Sequence, residues 1–166
     1  MQIVFHKSDV ELISIDRAKL AAKITGNDRD EEVKDALNAA IEYVQVHLSI
    51  PVSEQAVDCI YPRWTGQCEL PFVPSEIVSV EANGEKLSSD QYRVNYRFVE
   101  AAVTGVVKIS CKGGFTKDNL PTPIKQAILM LSTDYLRNQQ AQQESNLYVN
   151  QAVDNLLALY RMRMPL

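Results

Sequence analysis

Residues 120–131 read LPTPIKQAILML. Thr122 offers a side-chain oxygen to the unpaired amides of a helix start. Pro123 follows at the first helical position, where a missing amide proton removes nothing. Ile124, Ala127, Ile128, Leu131 and Tyr135 then recur at three- and four-residue steps, the apolar stripe of a third helix. Just upstream, Gly113-Gly114 punctuates a β-rich stretch. The chain therefore switches from sheet to helix here, and the rest of the fold is read outward from this switch.

Toward the C-terminus, QQAQQ at residues 139–143 is a short polar patch. A fourth helix is predicted from near Asn150, with Val153, Leu156, Leu157, Tyr160 and Met164 on one face. Arg161 and Arg163 stand near its negative end, where cations are favoured.

Toward the N-terminus, residues 54–111 carry short β-rich pieces. Val78, Val80 and Ala82 alternate with Ser79 and Glu81, one face dry and one wet. Asn83-Gly84 is the dipeptide of a type I′ hairpin turn, because both residues tolerate positive φ. Tyr92 to Tyr96 and Val106 to Cys111 read as further strands. Leu70-Pro71 and Val73-Pro74 mark sheet edges, since proline donates no ladder hydrogen bond.

Further back lies a second helix. Asn27, Asp28 and Asp30 offer caps, and Asp30, Glu31 and Glu32 complement the helix dipole. Val33, Ala36, Leu37, Ala40, Ile41, Val44 and Leu48 form its stripe, and Pro51 is the expected stop. A short first helix is capped by Ser14 or Asp16, carries Ala18, Leu20, Ala21 and Ile24, and is expected to end at Gly26.

An amphipathic helix cannot bury its stripe alone. The expected fold is α+β, mainly α: a four-helix bundle-like core with a small antiparallel β-block inserted between helices 2 and 3. One domain spans residues 1–166, with helices 1 and 2 over 12–51, the β insertion over 54–112, and helices 3 and 4 over 120–164.

Composition bounds the function. Hydrophobic residues make up 46% and charged residues 23%, ordinary for a globular domain that folds without disulfides or metal. Net charge is −4: residues 1–111 carry −6 and residues 112–166 carry +2. Neither part has the basic face that drives nucleic-acid affinity. Cys59, Cys68 and Cys111 are an odd count without close pairing, as in a reduced cytoplasmic protein. The N-terminal residues MQIVFHKSDVELIS lack a signal-peptide core, and no run is long enough to span a membrane. The protein is expected to stay in the cytoplasm where it is made.

Catalytic patterns are missing from the sequence. His6 and His47 have no partner at zinc-ligand spacing, and Cys59 to Cys68 is too long for CxxC. Gly113-Gly114-Phe115-Thr116-Lys117 lacks the phosphate-loop pattern. Asp30, Glu31, Glu32 and Asp35 fall in the first turns of a helix, where acids complement the dipole. No catalytic residue, metal site or cofactor is expected. Tyr135, Tyr148 and Tyr160 suit either a core or a partner surface.

The order of these pieces resembles a known family. Leu120, Pro121, Ile124, Lys125, Gln126, Ala127, Ile128, Leu129, Leu131, Tyr135, Arg137 and Asn138 match the helix of tailed-bacteriophage head–tail connector (adaptor) proteins. Leu156, Leu157, Tyr160 and Arg161 match that family's terminal pattern, and Leu70, Pro71, Pro74 and Val78 its strand entry. The likeness spans residues 12–161. Leu159 stands where the family usually has proline, which implies a straighter final helix.

The resemblance implies a structural protein, not an enzyme. Such a protein forms a homo-oligomeric ring of about a dozen copies under the phage portal. The ring would extend the DNA channel, pass DNA without specific binding, join head to stopper or tail, and sit at the head–tail junction of the virion. No membrane is involved. The portal-docking segment would be Tyr160, Arg161, Met162, Arg163, Met164, Pro165 and Leu166. Another tail-completion or binding module of a phage is the alternative, and a small hydrolase is a remote one.

Overall fold

The structure, a computed structural model, describes residues 1–138 and 151–160. The elements in chain order are β1 (Gln2–Phe5), α1 (Ile15–Ala22), α2 (Asp30–Leu48), β2 (Gln55–Tyr61), β3 (Gln67–Glu69), β4 (Glu76–Ala82), β5 (Glu85–Lys86), β6 (Tyr92–Asn95), β7 (Phe98–Ala101), β8 (Val107–Gly113), α3 (Thr122–Asn138) and α4 (Gln151–Ala158). They fall into two compact units. A β unit comprises Met1–Val10 and Ser49–Phe115; a helical unit comprises Glu11–Leu48 and the chain from Thr116 onward.

This overturns the expectation of a mainly helical bundle with a small β-block. The fold is α+β, and among the described residues eight strands build a five-stranded and a three-stranded sheet. Strands β1, β2, β3 and β7 escape the sequence reading for physical reasons. β3, with three residues, is too short to show two full periods, and β7 has just two, with Phe98 on its exposed side. β1 finds its partner β2 more than fifty residues away, with Gln2 opposite Ile60. In β2 the alternation is real, but Ile60 on the outer face blurs it.

The larger sheet is antiparallel, in the order β1-β2-β8-β4-β5. Cys59 lies opposite Ile109, which lies opposite Val80. Val57, Cys59, Val80, Ala82, Val107, Ile109 and Cys111 are all buried on this face. The opposite face carries Asp58, Lys108, Ser110 and Lys112. A register shift between Ile77 and Ser79 leaves Val78 exposed. Asn83 (φ 51°) and Gly84 (φ 88°) join β4 to β5 as a two-residue turn, as their sequence predicts.

The smaller sheet runs β3-β7-β6. Trp64 secures one end of it. Its indole N–H donates to the Ala101 carbonyl at 2.8 Å, and its amide donates to the Gly105 carbonyl at 3.0 Å. Its ring meets Tyr61 edge-on, with centroids 5.6 Å apart.

In the helical unit, Ser14 caps α1 by accepting from the Arg17 amide at 3.4 Å. The helix closes at Lys23, in the left-handed region at φ 58°, and not at Gly26. The Lys23 and Ile24 amides bond back to the Leu20 and Lys19 carbonyls, which satisfies the last orphan acceptors three residues early. Lys19 is buried, and its ammonium donates to Asn27 Oδ1 at 2.8 Å and Asp30 Oδ1 at 2.7 Å. Two residues expected as caps thus hold a buried cation.

α2 buries Val33, Ala36, Leu37, Ala40, Val44 and Leu48, with Ile41 half-buried, and closes at Ser49 (φ 55°), ahead of Pro51. α3 packs against α1, α2 and α4. Its Ile124, Ala127 and Ile128 are fully buried, and the Ser132 and Thr133 hydroxyls both donate to the Leu129 carbonyl. These hydroxyls are buried without being orphaned.

Candidate functional site

The candidate docking segment begins where α4 ends. Val153 and Leu157 are buried and anchor this helix. Leu159 is 82% exposed, while Tyr160 is half-buried and donates its amide to the Leu157 carbonyl at 2.9 Å. Arg161, Met162, Arg163, Met164, Pro165 and Leu166 lie outside the described residues, as does Tyr148.

A second anchor ties α4 to α2. His47 Nε2 stands 3.4 Å from Asp154 Oδ1, and the His47 ring stacks on Tyr43 at 5.6 Å and 14°. His47 is thus a packing residue between helices. Its π-face, not a ring nitrogen, meets Tyr43.

His6 belongs to a polar ladder on the outer face of the larger sheet. Asp58 accepts from Ser110 Oγ at 2.6 Å and His6 Nε2 at 3.1 Å, with Lys108 Nζ at 3.2 Å. The carboxylate stands between serine and histidine, so the histidine cannot take the serine proton as a nucleophile's base would. Burial pushes the Asp58 carboxyl up, but hydrogen bonds from Ser110, His6 and Lys108 outweigh it and hold it below the usual carboxylate range. A carboxyl depressed by folding stabilises fully above its unfolded value, about 3.9, and loses that contribution as pH falls through the lower folded value. Asp58→Asn is expected to cost about 1–3 kcal/mol at neutral pH. In urea titrations that difference shrinks below about pH 4. A pH-independent difference would remove Asp58 as the source.

The three cysteines gather in the β unit. Cys59 and Cys111 are buried, and Cys111 Sγ lies 3.6 Å from the Val57 carbonyl. The hydrogen bond with Cys111, then burial, raises the Cys59 thiol; burial raises Cys68. The same hydrogen bond with Cys59 lowers Cys111, against its burial; the two raised thiols, held protonated, are poor nucleophiles. Among the described residues, no three His, Cys, Asp or Glu side chains group as a metal site would require. An open cavity of about 470 Å³ is lined by Gly66, Asp90, Gln91, Tyr92, Arg93 and Glu100–Ala102, without histidine, cysteine or serine.

Solved structures sharpen the picture. A chain from the neck of an empty gene transfer agent particle, computed with C6 symmetry, superposes with a TM-score of 0.78 at 17% identity, covering 100% of this chain and 98% of that one. A chain of the virion of a native gene transfer agent particle gives 0.75 at 16%, and one from the native neck computed with C12 symmetry gives 0.69 at 15%, each with the same coverage. The fold is shared with chains of gene transfer agent particles. No protein-family model matches the chain, and no curated protein sequence does.

On this fold, the surfaces that stand out are exposed and apolar. α2 presents Tyr43 and Val46, and the β6–β7 hairpin presents Val94, Tyr96 and Phe98. The sequence reading missed the hairpin because YRVNYRF has no glycine to mark its turn. Asn95 looks like the turn residue, yet it is the last residue of β6, paired with Phe98. Glu31, Glu32, Asp35 and Glu42 are exposed along α2, away from its buried stripe.

Proposed function

We propose that this chain is a structural head–tail connector of a tailed phage-like particle, without enzymatic activity. Its copies form a ring of about a dozen under the portal, extend the DNA channel and carry the stopper or tail proteins. The chain acts as one connector domain, is made in the host cytoplasm and ends at the head–tail junction of the virion. The observation that carries this reading is the end-to-end likeness in fold to chains of gene transfer agent necks. The resemblance of the ordered sequence pieces to head–tail connectors points the same way. The exposed Glu31, Glu32 and Asp35 in the first turns of α2 suit a channel wall that repels DNA phosphates, so DNA slides without sticking.

Electron microscopy and native mass spectrometry, with and without portal protein, test the reading. Rings on the portal are expected. A chain that ignores the portal at high concentration, or a ring that binds DNA tightly and salt-sensitively, would contradict it.

The tail from Tyr160 to Leu166 is the proposed portal-docking segment. Truncation after Leu159 should leave the circular dichroism spectrum intact and abolish head–tail joining. Because Tyr160 is half-buried, a second truncation after Tyr160 separates docking from helix fraying. Unchanged particle yield from both variants would sink the idea.

A further inference from the structure

The β6–β7 hairpin is built against its own local preferences. Asn95 pairs with Phe98, so Tyr96 and Arg97 form a two-residue loop. Tyr96 has φ 59°. Glycine or asparagine normally fills such a position, and a bulky residue there is strained. Tyr96 is also 68% exposed, between the exposed Val94 and Phe98. The loop is held from behind: the Leu70 amide donates to the Arg97 carbonyl at 2.8 Å, and the Arg97 guanidinium pairs with Glu69. A fixed, strained loop that presents an aromatic ring to water gains nothing within the chain. Strain of this kind clusters where contact is made, and tyrosine is enriched at interface centres.

The occupant follows from area and chemistry. One hairpin tip covers far less than the roughly 800 Å² per partner of a stable isolated complex. Such a contact suits a closed ring, where every copy makes it twice, once with each neighbour. A head-to-tail ring needs a second, different patch on the same chain. α2 carries one: Ala39, Glu42, Tyr43 and Val46 are all exposed, and Val46 is 70% so. Their spacing of three, four and seven places them on one face. The β6–β7 hairpin brings Arg93 and Arg97 against a single acid, Glu100, and the α2 patch brings Glu42. Arg97 is held by Glu69, while the exposed Arg93 lies opposite Glu100 and makes no ion pair among the described residues, so it can turn toward Glu42.

We propose that the Tyr96 hairpin of one copy docks on the Ala39–Val46 face of α2 in a second copy, as a ring-forming contact. The proposal rests on the connector reading and adds the interface to it.

Sedimentation velocity of the full chain at millimolar concentration tests it. Wild type should associate in a concentration-dependent way. Tyr96→Asn should melt at a higher temperature, because asparagine tolerates this backbone, and yet associate at least about tenfold more weakly. Arg93→Glu and Glu42→Arg should each weaken association, and together restore it. Several results overturn the contact: a monomeric wild type, equal association by Tyr96→Asn, or single charge reversals that weaken association without mutual rescue. The connector reading fails separately, through absence of rings on the portal. Portal-templated rings that tolerate Tyr96→Asn would leave the ring and remove the hairpin.

Discussion

Gly114→Ala is expected to cost about 3–5 kcal/mol or to prevent folding of the β unit. Gly114 sits at φ 113°, a conformation that side chains rarely adopt. A Cβ built there would lie 2.2 Å from the Ser53 carbonyl oxygen and 2.8 Å from the Glu54 nitrogen. Both are backbone atoms of the strand entry that Phe115 clamps. The Phe115 amide donates to the Val52 carbonyl and the Glu54 amide to the Phe115 carbonyl, each at 3.0 Å. Neither side can move without breaking that clamp. Gly84→Ala makes the matched comparison. Gly84 has φ 88°, but nothing lies within 4 Å of its added Cβ. Strain alone then costs about 1–2 kcal/mol. Urea unfolding of both variants checks the contrast, and equal losses would show that strain alone, not the Ser53 clash, governs Gly114.

Trp64→Ala is expected to cost about 3–5 kcal/mol, as large-to-small changes at buried aromatics do. The side chain is nearly fully buried, stands edge-on to Tyr61 and donates to the Ala101 carbonyl. Trp64→Phe separates the two contributions. It keeps most of the apolar bulk but leaves the Ala101 carbonyl without its indole donor, at a cost of about 1–3 kcal/mol. Trp64 is the chain's one tryptophan, so circular dichroism replaces intrinsic fluorescence as the unfolding probe for both variants. A loss below about 1 kcal/mol for Trp64→Ala would mean that the smaller sheet does not depend on this anchor.

Much of the helical unit was legible in local pattern. The stripes of α2 and α3 are periodic over several turns, and a long period survives local exceptions. The Asn83-Gly84 turn was legible because one dipeptide decides the backbone there. Helix ends were read less well. Lys23 and Ser49 terminate α1 and α2, and neither residue type is a usual terminator. Each helix ends on a residue in the left-handed region, a conformation these residue types seldom adopt, so no local signal marks the stop. Leu20, placed on the buried stripe of α1 by spacing, is exposed, while Lys19 is buried. A helix of eight residues has too few turns for its pattern to say which side faces inward.

The candidate site divides in the same way. The C-terminal segment was legible as a patterned helix followed by a basic tail. That Asp154 meets His47, more than a hundred residues apart, was not. Nor was the hairpin tip, whose strained Tyr96 contradicts the local code for a turn.

By itself, the sequence determined the four helices, the Asn83-Gly84 hairpin, the switch at Gly113-Gly114 and the missing signatures of catalysis, because each rests on neighbours within a few residues. Only the tertiary structure decided that the strands of the described residues form two sheets, that residues 1–10 belong with the β unit, and that Tyr96 and the α2 face stand open. Strand pairing and exposure depend on partners fifty or more residues away, and no local period records who those partners are.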